Sequence, residues 1–402
     1  MGSVFCRFNH FLISLFLAFA ITINFASAEL MGPSTTESPY LDSHIGVTIK
    51  SLLTVDDGVM IPKTGGGTTE LVGIPDGIGV IDGDELTPPE PDFFYLLVNH
   101  ELNSTQGVAR DHGNAGAFVS KWKINKATHE VVEGDDLIKQ VFDWNEGAQS
   151  FSVDSTTFDR LCSSDRPMPT ALFNSGSGFG TQEIIYFNGE ETSGGRAFAH
   201  IVTGPNAGNS YQLEHFGFTA FENVVLSPFE QDKTVAVMLD DSSNGEVYVY
   251  VGDKQNTGLE VEKAGLIGGN LYSVAVPGKV AEVQDDLSTS IGPAPETFEL
   301  KLIGTNGNRP VDGSDVTELG LDTLTPPDPA QTFESLKFGG PEDGSWDTRP
   351  GFENFFYFVT KGTSSNGRNT PTRIWQLEFN DIADPALGGT LTPVSYTHLT
   401  LP

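Results

Sequence analysis

Almost nothing in this sequence repeats with the period of a long helix. What recurs is a short apolar run, continuous or alternating, closed off by Gly, Asn, Asp and Pro. That pattern restricts the chain to strands joined by turns. The clearest runs are Phe93 to Val98, Ala117 to Ile124, Glu183 to Phe187, Thr234 to Leu239, Glu246 to Val251, Leu271 to Val276 and Phe355 to Val359. Two of them bracket DDSSNG, where Asn244-Gly245 predicts a hairpin turn because both residues tolerate positive φ. Many short strands at regular turn spacing predict an all-β protein, a β-propeller first and a large sandwich second. No repeat of fixed length is visible. Asp82 to Asp92 and Asn306 to Ala330 read as long loops inside one domain, because no shift of composition divides the chain.

The ends have a different character. Arg7, the apolar stretch Phe11 to Ile23 and the small residues Ala26-Ser27-Ala28 form the pattern of a secretory signal over residues 1–28. The stretch falls short of the ~20 residues that a membrane span needs, so the expectation is export, to the periplasm or beyond, of a chain starting at Glu29. Cys6 then leaves with the signal, and Cys162 is the one thiol kept. No intrachain disulfide and no cysteine-based zinc site can be built from it. At the other end VSYTHLTLP, residues 394–402, has no charge and reads as a non-native tail. On that reading the propeller domain spans 29–393 and is cut short at its C-terminus.

Charge narrows the function. The chain has 22 Lys+Arg against 54 Asp+Glu, a formal net charge of −32, which disfavours nucleic acid and anionic membrane as partners. The acids concentrate where strands end. LLVNHE closes on Glu101, IIYFNGEE on Glu190 and Glu191, and VAVMLDD on Asp240 and Asp241, while Glu222 stands in AFENVVL and Glu342 and Asp343 in GGPEDGSW. Burying such carboxylates unpaired is costly, and basic partners are scarce. A hard cation resolves the conflict. Carboxylates with the amide oxygens of Asn99 and Asn188 suit calcium, magnesium, manganese or iron; the alternative is that these acids only face solvent.

Other motifs fail. DDSSNGE begins like a calcium-binding loop, but its twelfth position is Val251. NSGSGFGT lacks the last glycine of a dinucleotide fingerprint, and there is no phosphate-binding loop or serine-nucleophile elbow. His100, His112, His200 and His215 stand at no ligand spacing. Arg110 and Arg196 are conspicuous in so acidic a chain; they either steady a phosphate or sulfate or neutralise neighbouring acids.

The segments VNHE (98–101), RDHGNAGAFVSKWKI (110–124), FNGEETSGGRAFAH (187–200), AFENVVLSP (220–228), VMLDDSSNGEVYVYVG (237–252), PEDGSWD (341–347) and RIWQLEF (373–379), in this order, resemble the PhoX-type alkaline phosphatase family. They resemble most a secreted branch with an RLCSSD-like segment, here Arg160 to Asp165. The resemblance implies a propeller of about six blades around a cluster of iron and calcium that hydrolyses phosphomonoesters. It carries Glu190, Glu191, Glu222 and Glu342 over as metal ligands, beside Glu101 and Asp241 from the strand ends. Gly189 stands at the family's iron-bridging cysteine, Phe221 at the histidine of its His-Glu motif, and Gly340 at the arginine of its Arg-Pro-Glu motif. A glycine cannot bridge irons, so calcium is the expected ion and the loss at Gly189 counts against iron.

The resulting expectation is a secreted, monomeric, metal-dependent phosphoesterase. A metal-activated water attacks a small phosphorylated substrate, and Arg110 or Arg196 holds the substrate oxygens. The alternatives are a non-catalytic, calcium-stabilised exported propeller that binds a protein or glycan, and a calcium-propeller hydrolase such as a lactonase.

Overall fold

The computed structural model describes residues 28–44, 46–154, 157–279, 281–282, 290–291, 294–304, 335–363, 370 and 372–396. Four antiparallel meanders of four strands follow one another along it and form blades of a β-propeller. Blade one is Pro75–Asp82, Phe93–His100, Phe118–Asn125 and Val131–Asp136. Blade two is Leu161–Asp165, Ile185–Glu190, Ala197–Ile201 and Asn209–Gln212. Blade three is Phe221–Leu226, Lys233–Asp240, Val247–Asp253 and Asn270–Ala275. Blade four is Pro341–Trp346, Phe355–Thr360, Arg373–Phe379 and Gly389–Tyr396.

Within each blade consecutive strands are hydrogen-bonded. The first strands of successive blades lie against one another, so they form the centre and the fourth strands the periphery. Outside this frame, Gln140–Asn145 and Ser150–Asp154 form a hairpin that extends blade two. Glu296–Gly304 pairs with the outer strands of blades three and four and joins them into one nine-stranded sheet. The two α-helices among the described residues, Pro169–Leu172 and Glu260–Lys263, are single turns, and no helix there is long and apolar enough to cross a membrane.

The apolar runs are continuous because blades are covered on both faces. Along Lys233–Asp240, Ala236 and Met238 pack with Phe187 and Ala199 of blade two. The alternate residues Val235, Val237 and Leu239 pack with Phe356, Phe358 and Trp375 of blade four. Period two therefore sorts one strand between two cores, and each fully buried Val, Leu or Met contributes about 1.5–3 kcal/mol. Between blades one and two the same sorting brings Leu97 and Val119 against Tyr186 and Phe198.

The hairpin expected at Asn244-Gly245 is present, joining Lys233–Asp240 to Val247–Asp253. Its reason differs from the expected one. Neither residue is among those with positive φ; Gly245 is needed because a Cβ there would come within 1.9 Å of Asp240 O and 2.6 Å of Pro341 Cδ. Val394 to Tyr396, read above as the start of a non-native tail, belong to the last strand of blade four, where Tyr396 pairs with Arg373. Residues 1–27 of the signal segment, the loop 306–330 and residues 397–402 lie outside the described residues.

Candidate metal centre

One device recurs in all four blades, where the first strand meets the end of the second. Pro75 lies opposite His100, Leu161 opposite Glu190, Phe221 opposite Asp240 and Pro341 opposite Thr360. In each blade the register slips directly after that pair, a bulge that re-aims the next side chain. The residue following the second strand then donates its N–H to the carbonyl just before the first strand. Glu101 donates to Ile74 at 2.8 Å, and Glu191 to Arg160, Asp241 to Ala220 and Lys361 to Gly340, each at 2.9 Å. Two positions per blade are thereby presented at the centre: Asp76 and Glu101, Cys162 and Glu191, Glu222 and Asp241, Glu342 and Lys361.

These side chains meet in three overlapping sets that run from blade one to blade four as an open ring. Asp76, Glu101 and Cys162 form one set whose ligand atoms lie within 4.8 Å of one another; Cys162, Glu191 and Glu222 form a second, and Glu222, Asp241 and Glu342 a third. Cys162 Sγ is 3.4 Å from both carboxylate oxygens of Glu222, and Ser163 Oγ donates to Glu222 at 2.9 Å. Burial, then repulsion from Glu342 and Asp343, pushes the Glu222 carboxyl up to about 8. Burial also raises Glu191, to about 7, against the pull of Arg160, and it raises Asp76 beside Glu101 and Asp343. The Cys162 thiol is driven far above its ordinary value by burial and by the surrounding carboxylates, Glu222 first. The ring holds protons where it lacks cations.

Among the described residues, Arg160 and Lys361 partly answer that charge. Arg160 bridges blades one and two, with Nε 2.9 Å and Nη2 2.6 Å from Glu101 and Nη2 2.6 Å from Glu191. Its φ of 48° is rare for a residue with a Cβ. Two backbone bonds pin it there: its N–H donates to Leu102 O at 2.9 Å, and its carbonyl accepts from Glu191. Lys361 reaches Asp241 at 2.5 Å and Glu342 at 2.8 Å. Burial opposes its charge, but hydrogen bonds and attraction from those two acids hold its pKa above the usual lysine value.

The other residues singled out in the sequence go elsewhere. Glu190, the neighbour of Glu191, faces away from the ring and takes Arg196 Nε at 2.8 Å and Nη2 at 2.7 Å, with backbone N–H groups of Asp159 and Arg196. Arg196 is thus tied to Glu190, with Asp143 3.8 Å away. Arg110 lies over the Phe118 ring and 3.8 Å from Asp136. Neither arginine is joined to a ring carboxylate by these contacts. Asn188 and Asn99 form a chain behind the ring: His200 Nε2 is 2.8 Å from Asn188 Oδ1, Asn188 donates to Asn99 at 3.0 Å, and Asn99 donates to Cys162 O at 2.5 Å. Burial lowers His200 to about 3, so it is neutral.

Sequence reasoning looked for a thiolate at Gly189 and found none. A Cβ at Gly189 would sit 2.3 Å from Phe221 Cβ, so that position carries no side chain into the ring. The sulfur arrives instead from Cys162, on the first strand of the same blade, and Arg160 precedes it by two residues. Both lie in the segment RLCSSD, where the sequence analysis had marked Cys162 as the one retained thiol but had no sign that it reaches the other acids.

No protein-family model matches the sequence, and no curated protein is significantly similar. Among solved structures, PhoX of Pseudomonas fluorescens, in complex with vanadate, a transition-state analogue, superposes with a TM-score of 0.52 at 12% identity, covering 79% of this chain and 65% of that one. The chain thus spans just under two thirds of that protein's length. The likeness shows the fold: this is a β-propeller of the same kind. The periplasmic gluconolactonase PpgL of Pseudomonas aeruginosa covers 83% of this chain and 73% of its own at 10% identity, with a TM-score of 0.27, too low to argue from.

The donor set fits a hard cation with room for a softer one. Carboxylates supply the oxygen ligands that calcium prefers, and Cys162 adds a thiol of the kind iron accepts. Next to Glu222, Asn223 Nδ2 lies 3.3 Å from Asp343, while its buried Oδ1 has no partner.

Proposed function

We propose that the protein is an exported, metal-dependent phosphomonoester hydrolase whose ions lie within the ring of Asp76, Glu101, Cys162, Glu191, Glu222, Asp241 and Glu342. The observation that carries this reading is the ring itself, six acids and one thiol from four blades, against which the described residues set Arg160 and Lys361. The neighbour's vanadate, an oxyanion shaped like a transferring phosphoryl group, supports the reaction class. Calcium suits the carboxylates, and Cys162 supports iron beside it, the metal that Gly189 had argued against. When bound, such ions polarise a phosphoryl oxygen and make a water more acidic.

The chain's own groups do the rest. Glu222 and Cys162 shed protons as a cation arrives, so ion uptake is coupled to proton release and weakens as pH falls. Arg160, held by Glu101 and Glu191 but with 43% of its side chain exposed, presents a planar donor suited to a phosphoryl oxygen. It takes the substrate-binding role that the sequence analysis gave to Arg110 or Arg196 because it is tied to two acids of the ring, whereas the contacts above tie Arg110 to Asp136 and Arg196 to Glu190. The non-catalytic propeller keeps one observation in its favour: Gly340 and Phe221 stand where the family has arginine and histidine.

Elemental analysis paired with turnover of p-nitrophenyl phosphate tests the reading. The expected result is bound metal, turnover abolished by chelation and restored by the same metal, and loss of any iron from Cys162→Ser with calcium retained. Metal-loaded protein that hydrolyses no phosphomonoester would remove the catalytic reading and leave a metal-braced binding propeller.

A further inference from the structure

Three blades place a carboxylate directly after their second strand, Glu101, Glu191 and Asp241. The fourth places Lys361 there. Its backbone repeats the others, with the same N–H bond to its own first strand, 2.9 Å to Gly340 O, and the same bulge beside it. The sign of the charge is therefore inverted at one position of an otherwise repeated device. A difference in backbone does not explain it.

The inversion falls beside a set of possible ligands. Lys361 Nζ is 2.5 Å from Asp241 and 2.8 Å from Glu342, and these two with Glu222 are one of the three sets described above. Distances of 2.5–2.8 Å approach the roughly 2.3–2.6 Å of calcium–oxygen bonds. An ammonium and a divalent ion of the same sign cannot share that space. The neighbouring residue also keeps an unsatisfied polar atom. Asn223, next to Glu222 and only 1% exposed, has a buried Oδ1 without a partner, and its amide lies against Asp343, the neighbour of Glu342.

We infer that Lys361 is a built-in counter-cation, filling the Glu222–Asp241–Glu342 position and setting the number of metal ions the chain binds one lower than its carboxylates allow. This rests on the reading of the ring as a metal centre. The lysine does from within what an ion does from solution: it neutralises the acids at a fixed place. Half its side chain is exposed, so replacing it removes little packing.

The test is a count. Bound calcium per chain is measured at saturation by equilibrium dialysis and elemental analysis for the wild type, Lys361→Gln and Lys361→Arg, with calcium as the probe. Lys361→Gln is expected to bind one ion more than the wild type, and Lys361→Arg the same number. Lys139→Gln, which removes a lysine beside Asp111 and Asp135 in blade one, is expected to leave the count unchanged. If Lys361→Gln fails to fold, Lys361→Met, which keeps the aliphatic stem, takes its place. Equal counts for wild type and neutral variant would overturn the inference; if those counts are above zero, the metal-centre reading stands without it. A wild type that binds none beside a variant that binds one supports the counter-cation and removes a loaded ring from the native protein.

Discussion

Glu222 in the ring and Glu246 between blades three and four are both almost fully buried, 4% and 0% exposed, yet their charge is handled in opposite ways. Glu246 is given Lys337 and the Tyr248 hydroxyl. Glu282 is likewise given Arg373 at 2.8 Å, and Glu190 is given Arg196. Glu222 is given a serine hydroxyl and a thiol, and its carboxyl is pushed up to about 8. A chain with 22 basic residues thus spends several on acids deep in the blades and, among the described residues, Arg160 and Lys361 on acids of the ring beside Glu222. The difference teaches that scarcity of cations is not what leaves Glu222 without a basic partner among the described residues. The fold builds complete ion pairs where it needs structure and an incomplete one where a cation from outside fits.

Cutting a complete pair has the largest expected effect. Lys337→Met takes the ammonium away from the buried Glu246 and should cost about 3–5 kcal/mol of stability, read as a lowered urea midpoint; a loss below about 1 kcal/mol would erase the contrast. Next comes cation supply. Calcium at a hundred times its dissociation constant should stabilise the protein by about 2.7 kcal/mol, and Glu222→Ala should remove most of that gain. An equal gain in the variant would place the stabilising ion elsewhere.

A smaller effect separates the regions by pH. The Glu222 carboxyl has its folded-state pKa raised from 4.5 to about 8 by burial. The stability this contributes is fully present below the unfolded value and is lost as pH rises through the folded one. In metal-free protein, Glu222→Gln, which cannot ionise, should therefore gain on the wild type between pH 5 and pH 9. A gap in melting temperature that stays constant over that range contradicts the assignment. The smallest effect belongs to the rim: Arg349, paired with Asp347 but 66% exposed, should be replaceable by Ala with no measurable change in midpoint.

Much of the fold was legible. The runs at Phe93, Thr234, Glu246 and Phe355 became strands because an apolar stretch bounded by turn residues has few other ways to bury both faces. The fourfold device was not legible, because the segments between first and second strands differ in length and the equivalent residues, IPDG, RLCS, AFEN and GPED, share almost no side chain. Their likeness is in the backbone, in a paired residue, a bulge and one returning hydrogen bond. Of the candidate site, the strand-end acids Glu101, Glu191 and Asp241 could be read because a strand that runs toward the centre delivers whatever follows it. Arg160 and Cys162 could not, since the sequence does not say which loop reaches a neighbouring blade.

By itself the sequence determined the strand content, the all-β class and the excess of carboxylate where strands end, all of which follow from local periodicity and composition. Only the tertiary structure decided which acids became ring and which became ion pairs. Glu190 and Glu191 differ by one step along a pleated strand, and one step reverses the direction of a side chain. Both partners lie in the same blade, Arg196 across the neighbouring hairpin and Cys162 on the first strand. The meetings of Cys162 with Glu222 and of Arg160 with Glu101, however, depend on how blades pack, set by contacts far apart in the chain.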